Sequence, residues 1–406
     1  MTSAPDDLPV VEVGPVAHGG HCVARLDGQV VFVRHALPGE TVRVRVTQRT
    51  KRFLRADVVE VLVASPDRVE PPCPWAGTCG GCDFQHVDPA AQRRLLGDVV
   101  REQLQRLAGL EVDVEVEEVA PLLGWRTRTT YAVDRDGHAG LRPHRSHDVL
   151  PIDRCRIAHP ALAEVPQHRW DGTSVEAVVS STGERLLVTD ARRLPADVER
   201  DGVATLDGRR REGRAHVTEQ VRDHSFRVSG SGFWQVHPAA AETLVDAVLG
   251  AALAEPGHRV ADLYAGVGLF TAFLADAVGE SGVVVSVEGD AGGHRDARRN
   301  LHHRSQVRLL RAPVERAAAD GSLADALGGR PDVVVLDPPR SGAKEAVPAL
   351  AALGAPRVVY VACDPAALAR DVATFAEHGY RLDDLRAFAL FPMTHHVECV
   401  AVLVSD

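Results

Sequence analysis

Seven cysteines are spread unevenly over the 406 residues, and their spacing separates two kinds of chemistry. Three sit close together in "PPCPWAGTCGGCDFQH", residues 71 to 86, as Cys73, Cys79 and Cys82. With the distant Cys155 of "PIDRC" they make a set of four thiolates. Such a set suits a zinc ion or a [4Fe–4S] cluster, and spacing alone does not choose between them. Cys363 stands apart, in "VYVACDPAALARD", at the end of an apolar run and just before a helical pattern. A thiol at a helix N-terminus is expected to have a lowered pKa, as a nucleophile requires. Glu398 lies in the apolar "HHVECVAVL", where a carboxylate needs a purpose such as general-base work. Alternation turns Cys399 to the opposite face, into the core. Cys22 has no ligand types near it and reads as an ordinary buried thiol.

Further polar residues surround a glycine turn. "DLYAGVGLF" sets Gly266 and Gly268 directly after a strand, at the nucleotide crevice of a doubly wound fold. A dinucleotide loop would carry a third small residue where Thr271 stands, which disfavours NAD. Glu288 ends the next strand, 22 residues after Gly266, where a carboxylate can accept both ribose hydroxyls of an adenosine cofactor. Asp337, in "LDPPR", faces the same crevice, beside a stiff proline loop suited to a flat base. Nothing resembles a Walker loop, so ATP hydrolysis has no support.

These residues need three regions to position them. Residues 9–64 alternate in short runs between "HGGH", "DGQ" and "PGE" turns and predict a small β-barrel. A proline-punctuated linker leads into residues 65–225, which hold the cysteine segment, a helix over 89–109 and a mostly-β domain. From 226 to 406, apolar strands alternate with helices, as in a parallel sheet covered on both faces. The last two strands have no helix between them and predict a closing antiparallel hairpin. The fold class is therefore α/β, with an N-terminal barrel, a central β-rich domain and a C-terminal Rossmann-like domain.

Composition narrows the setting. The chain has no apolar run of membrane-spanning length, and its first residues lack a signal-peptide pattern. A cytoplasmic monomer without a membrane partner is expected. An odd cysteine count argues against a secreted disulfide framework. The net charge of −10 does not advertise nucleic-acid binding. However, residues 42–56 carry Arg43, Arg45, Arg49, Lys51, Arg52 and Arg55 without an acid, which is a candidate phosphate-tracking face. A solvated edge strand is the plainer alternative. Arg126 and Arg128, in "WRTRTT", are added to this candidate phosphate-tracking set.

Taken in order, the segments resemble the RNA uracil-5-methyltransferase family across nearly the whole chain. Residues 9–64 are similar to its TRAM RNA-binding barrel. "CPWAGTCGGCDFQH" with "HRSHDVLPIDRC" resembles its four-cysteine iron–sulfur motif, and "SGFWQVHPAAAETL" its Phe-Gln-x-Asn segment. "DLYAGVGLF", "DPPR", "YVACDPAALARD" and "FPMTHHVECV" resemble its cofactor loop, Asp-Pro, nucleophile and base motifs.

The resemblance implies S-adenosylmethionine as cofactor and a [4Fe–4S] cluster on Cys73, Cys79, Cys82 and Cys155. It implies Cys363 as nucleophile at carbon 6 of a uridine and Glu398 as the base at carbon 5. Gln235, Tyr264, Glu288 and Asp337 would contact cofactor or base. A barrel together with a cysteine cluster points to 23S ribosomal RNA as substrate, with transfer RNA the alternative. A catalytically idle RNA-binding or chaperone protein is the competing class, which the intact Cys363, Glu398 and Glu288 disfavour. Three departures stand out: His237 and Asp364 each replace an Asn, and Leu269 replaces another, so no binding role is carried to Leu269.

Overall fold

The computed structural model describes residues 8–205 and 211–405. Residues 1–7, where the absence of a signal peptide was read, lie outside the described residues, as do 206–210 and 406.

The N-terminal region is a six-stranded sheet. Its order is Val10–Glu12, Thr41–Arg49, Phe53–Val63, Gln29–Arg34, His21–Leu26 and Val16–Ala17. Alternation positions it: Val31, Val33, Val42 and Val44 are completely buried, while the residues between them face outward. Its two edge strands are successive parts of one segment. Within that segment Val13 N–H donates to Glu40 O at 2.9 Å and Gly14 N–H to Val23 O at 2.7 Å. Buried Glu40 is bonded by Arg68, which fastens the linker to this sheet.

The helix Pro89–Ala108 starts at Asp88, whose side chain accepts from the N–H groups of Ala90 and Ala91, and ends at Gly109 with φ 69°. It packs on the helix Pro365–Ala376 near the other end of the chain. The "EVDVEVEEV" segment was expected among the central strands. Instead Val116–Glu118 pairs in parallel with Tyr380–Ala389 and adds an edge strand to the C-terminal sheet. The remaining central strands form a seven-stranded sheet from Leu150–Pro151 to Arg211–Gly213, followed by the hairpin His216–Val221 and His224–Ser229.

The C-terminal sheet runs Val307–Leu310, Val283–Val287, Arg259–Leu263, Val333–Leu336, Arg357–Ala362, Glu398–Ser405, Tyr380–Ala389, Val116–Glu118. The first five are parallel, and the closing hairpin is antiparallel as expected. Val333 and Val335 enter one apolar cluster while Val334 and Leu336 enter the other, so both faces are covered. Strand order reverses between Arg259–Leu263 and Val333–Leu336. A crevice at that switch point lies at the carboxyl ends of the strands, where ligands bind.

Candidate active site

Cys363 leaves the strand Arg357–Ala362, and Glu398 begins the strand beside it. The register pairs Ala362 with Cys399, so one further step sets Cys363 opposite Glu398. Glu398 is 3% exposed, and Cys399, facing the other way, is wholly in the core. Burial raises the Glu398 carboxyl well above the ordinary range; nearby Asp337 adds to the rise and Arg340 opposes it.

The expected low pKa at Cys363 is not found. Burial pushes the thiol up to about 12, and the Glu398 and Asp337 carboxylates add to it, with Arg340 opposing. The following helix offers little help. Its first residue, Pro365, has no N–H, and the Asp364 side chain already accepts from Ala367 N–H at 2.8 Å. A carboxylate therefore occupies the helix end that was expected to favour the thiolate.

Around the glycine turn the backbone is unusual at each expected position. Tyr264, Gly266 and Gly268 have φ of 60°, 57° and 92°. The two glycines serve different ends. A Cβ on Gly268 would meet Leu301 at 2.6 Å, whereas one on Gly266 would meet nothing within 4 Å. Gly268 is thus required by packing, and Gly266 by the turn that opens onto the crevice. Glu288 is fixed beside it, accepting from Gly266 N–H at 2.8 Å and Asp290 N–H at 2.5 Å. Tyr264 donates its hydroxyl to Glu315 at 2.9 Å. Gln235 is buried, next to the buried Trp234. Leu269 is a core residue, in keeping with its lack of an assigned role.

Asp262 is a polar residue that sequence reasoning passed over. It is fully buried and accepts from the Thr271 hydroxyl, while its other oxygen has no partner among the described residues. Thr271 is the residue that breaks the dinucleotide pattern, and this bond gives it a structural reason. Burial raises both Asp262 and Asp337 to about 7; Glu288 adds to the first and Asp262 to the second. The signal was available: an Asp inside the apolar "VADLY" is as conspicuous as Glu398 in "HVECV".

The four clustered cysteines line one cavity of about 180 Å³, with Trp75, Leu141, Ile152, Arg126 and Thr129 in its wall. Gly81 N–H donates to Cys79 Sγ at 3.4 Å and Gln85 to Cys82 Sγ at 3.3 Å. Gly80 has no room for a side chain, since a Cβ would lie 2.8 Å from Arg142 O. Burial raises Cys82 to about 12 and also raises Cys79 and Cys155, with neighbouring cysteines contributing. Among the described residues, no three of these sulfurs lie within 4.8 Å of one another. The Trp125 N–H is buried and meets no acceptor among the described residues. The cysteine loop rests on the loop before Glu398. Asp83 and Phe84 N–H groups both donate to Met393 O at 3.0 Å, and Asp83 Oδ2 lies 2.6 Å from His395 Nδ1.

The basic set divides. Arg43 is bonded to Glu60 at 2.9 Å, and Arg45 stands across from Asp57, so the partner strand supplies acids that residues 42–56 lack. Arg55 lies against the rings of Phe32 and Phe53. Arg45, Arg49, Lys51 and Arg52 are exposed. Arg126 faces the cysteine cavity, and Arg128 bonds Glu176 and the Gly230 carbonyl, so both serve the interior. His237, one of the departures, stacks on Trp125 and bonds the Pro121 carbonyl, joining the central and C-terminal regions.

The molecule is thus a doubly wound domain of the kind that binds a ligand at its switch point, with a thiol facing a buried carboxylate there and a small sheet domain joined at the N-terminus. Comparison with known proteins makes this specific. Residues 10–59 match the TRAM domain model, and residues 330–406 match the tRNA (uracil-5-)-methyltransferase model. An uncharacterized RNA methyltransferase of Streptomyces avermitilis is 49% identical, over 97% of each chain. The 23S rRNA (uracil(1939)-C(5))-methyltransferase RlmD of Alkalilimnicola ehrlichii is 35% identical, over 98% of this chain and 96% of its own. The tRNA (uracil-54, C5)-methyltransferase of Pyrococcus abyssi, solved with S-adenosyl-L-homocysteine, has the same fold: TM-score 0.73 at 24% identity, over 97% and 99% of the chains. The chain belongs to the RNA uracil-5-methyltransferase family.

Proposed function

We propose that this enzyme methylates carbon 5 of a uridine in RNA, in 23S ribosomal RNA, with S-adenosylmethionine as donor. The observation that carries the proposal is the register that sets Cys363 opposite the buried Glu398 at the mouth of the crevice.

The crevice suits a cationic ligand. Burial raises the pKa values of Asp262, Asp337 and Glu398, and of the three only Glu398 has a guanidinium, Arg340, opposing the rise. Glu288 would accept the ribose hydroxyls, a reading supported by the open space beside Gly266. S-adenosylmethionine would supply an electrophilic methyl group and a positive sulfonium. In a field made less negative, Cys363 can give its proton to solvent and attack carbon 6 of the uracil; carbon 5 would then take the methyl group as its bond to the sulfonium breaks, releasing S-adenosylhomocysteine. Glu398 takes the proton from carbon 5. Its raised pKa makes it a stronger base than an ordinary carboxylate once ionised. Elimination then returns the Cys363 thiolate. The target uridine must leave its stack to reach this site.

The four cysteines fit a [4Fe–4S] cluster. Cys73, Cys79, Cys82 and Cys155 would hold the cluster, and the cluster would tie the cysteine loop to the central domain. Exposed Arg45, Arg49, Lys51 and Arg52 would hold RNA backbone. No helix among the described residues is long and apolar enough to cross a membrane; a cytoplasmic monomer completes the proposal.

The test is methyl transfer to ribosomal and transfer RNA from a strain lacking this chain, with mapping of the product. 5-Methyluridine in 23S RNA is expected. Label confined to transfer RNA would reverse the substrate assignment, and no label in either would favour an idle RNA-binding protein.

A further inference from the structure

One turn of the N-terminal domain reaches both catalytic loops. His18 Nε2 lies 3.0 Å from Asp364 Oδ2, on the residue after the nucleophile. Two residues on, Gly20 has φ +75°, and a Cβ there would stand 2.7 Å from His395 Cβ and 3.3 Å from Asp83 Cβ. His395 lies three residues before Glu398. The turn is closed by its own bond, Gly20 N–H to Ala17 O at 3.1 Å, so neither outward contact is needed to form it.

The contact at His18 meets a particular need. Asp364 stands where the family resemblance expects Asn, which places a carboxylate beside the thiol that must ionise. One oxygen of Asp364 caps the following helix through Ala367 N–H, and the other lies against His18. The groups acting on Cys363 are Glu398, Asp337 and Arg340; those acting on Asp364 are His18 and Arg370. His18 is thus the partner that holds the extra carboxylate in one orientation, on the residue that follows the nucleophile. Gly20 meanwhile admits the His395 side chain at a distance that any larger residue would forbid.

We propose that His18 and Gly20 are positioning residues for methyl transfer: the N-terminal domain sets the nucleophile and base loops as well as holding RNA. The proposal rests on Cys363 being the nucleophile. The test compares covalent adduct formation on 5-fluorouridine-containing RNA with RNA affinity, using the full chain. His18→Ala should slow adduct formation about tenfold, the scale of one lost hydrogen bond to a charged group. Its RNA dissociation constant should stay within about twofold. His18→Gln, which keeps an N–H donor, should recover most of the rate. In an Asp364→Asn background, His18→Ala should cost less than about twofold, because the charge it answers is gone.

Unchanged adduct formation in His18→Ala would overturn the proposal. So would a loss that follows RNA affinity in proportion, or an equal loss in both backgrounds. A wild-type protein that forms no adduct would overturn the nucleophile assignment too, and so differs visibly from failure of the turn alone.

Discussion

Burial raises Cys79, Cys82 and Cys155 in the cysteine cavity and Cys363 in the crevice, but their neighbours differ. In the cavity the added rise comes from neighbouring cysteines, which a single positive group held among them would relieve. In the crevice, Cys363 is alone among carboxylates. In the proposed reading the first arrangement would hold a metal group and stay closed, and the second would take a cationic ligand and a substrate and react. Burial sets a resting state in which thiols are protonated, and the charge brought to each site decides its use.

The sharpest test of this division is to remove one thiol from each site. Cys363→Ala should lower turnover by about 10⁴ or more, while Cys155→Ala keeps measurable turnover in whatever protein remains folded. Equal losses in two well-folded variants would erase the distinction. Next in size, Glu398→Gln should cut turnover by roughly 10²–10⁴ and allow the adduct to accumulate on unmodified RNA, visible on a denaturing gel. Turnover lost without accumulated adduct would move Glu398's role to an earlier step.

On the structural side, Cys155→Ser should abolish bound iron. A tie worth about 2 kcal/mol would lower the thermal midpoint by roughly 4–8 °C. An unchanged midpoint in iron-free protein would remove the tie from the account.

The smallest expected effect is in pH. Asp337 rises from 3.8 to about 7 on folding, so its neutral form is favoured in the free protein. Its contribution to stability is greatest below about pH 4 and declines as pH climbs to 7. A cationic ligand favours the ionised form. Calorimetry should therefore find the preference for S-adenosylmethionine over S-adenosylhomocysteine widening between about pH 6 and 8. A preference independent of pH would separate Asp337 from the sulfonium.

Much of this site is legible in sequence because its signals are local. Gly266 and Gly268 follow a strand, Glu288 ends the next, and Glu398 interrupts an apolar run. What sequence hid depends on partners far along the chain. Glu60 neutralises Arg43 of the basic strand from across a ladder, and Asp57 stands opposite Arg45. Arg128 is drawn inward by Glu176, and Val116–Glu118 finds its pairing some 270 residues away, beside Tyr380–Ala389. The same distance hid the state of Cys363. A helix start favours a thiolate, but Asp364 and Pro365 occupy that start, and Asp337 and Glu398 arrive from other strands.

The central claim is that the isolated thiol reacts while the clustered ones hold structure. Mass spectrometry of the complex trapped with 5-fluorouridine-containing RNA tests it most directly. The nucleotide should be attached to the peptide carrying Cys363, with Cys73, Cys79, Cys82 and Cys155 unmodified. Attachment to any of those four, or an adduct that persists in Cys363→Ala, would contradict it.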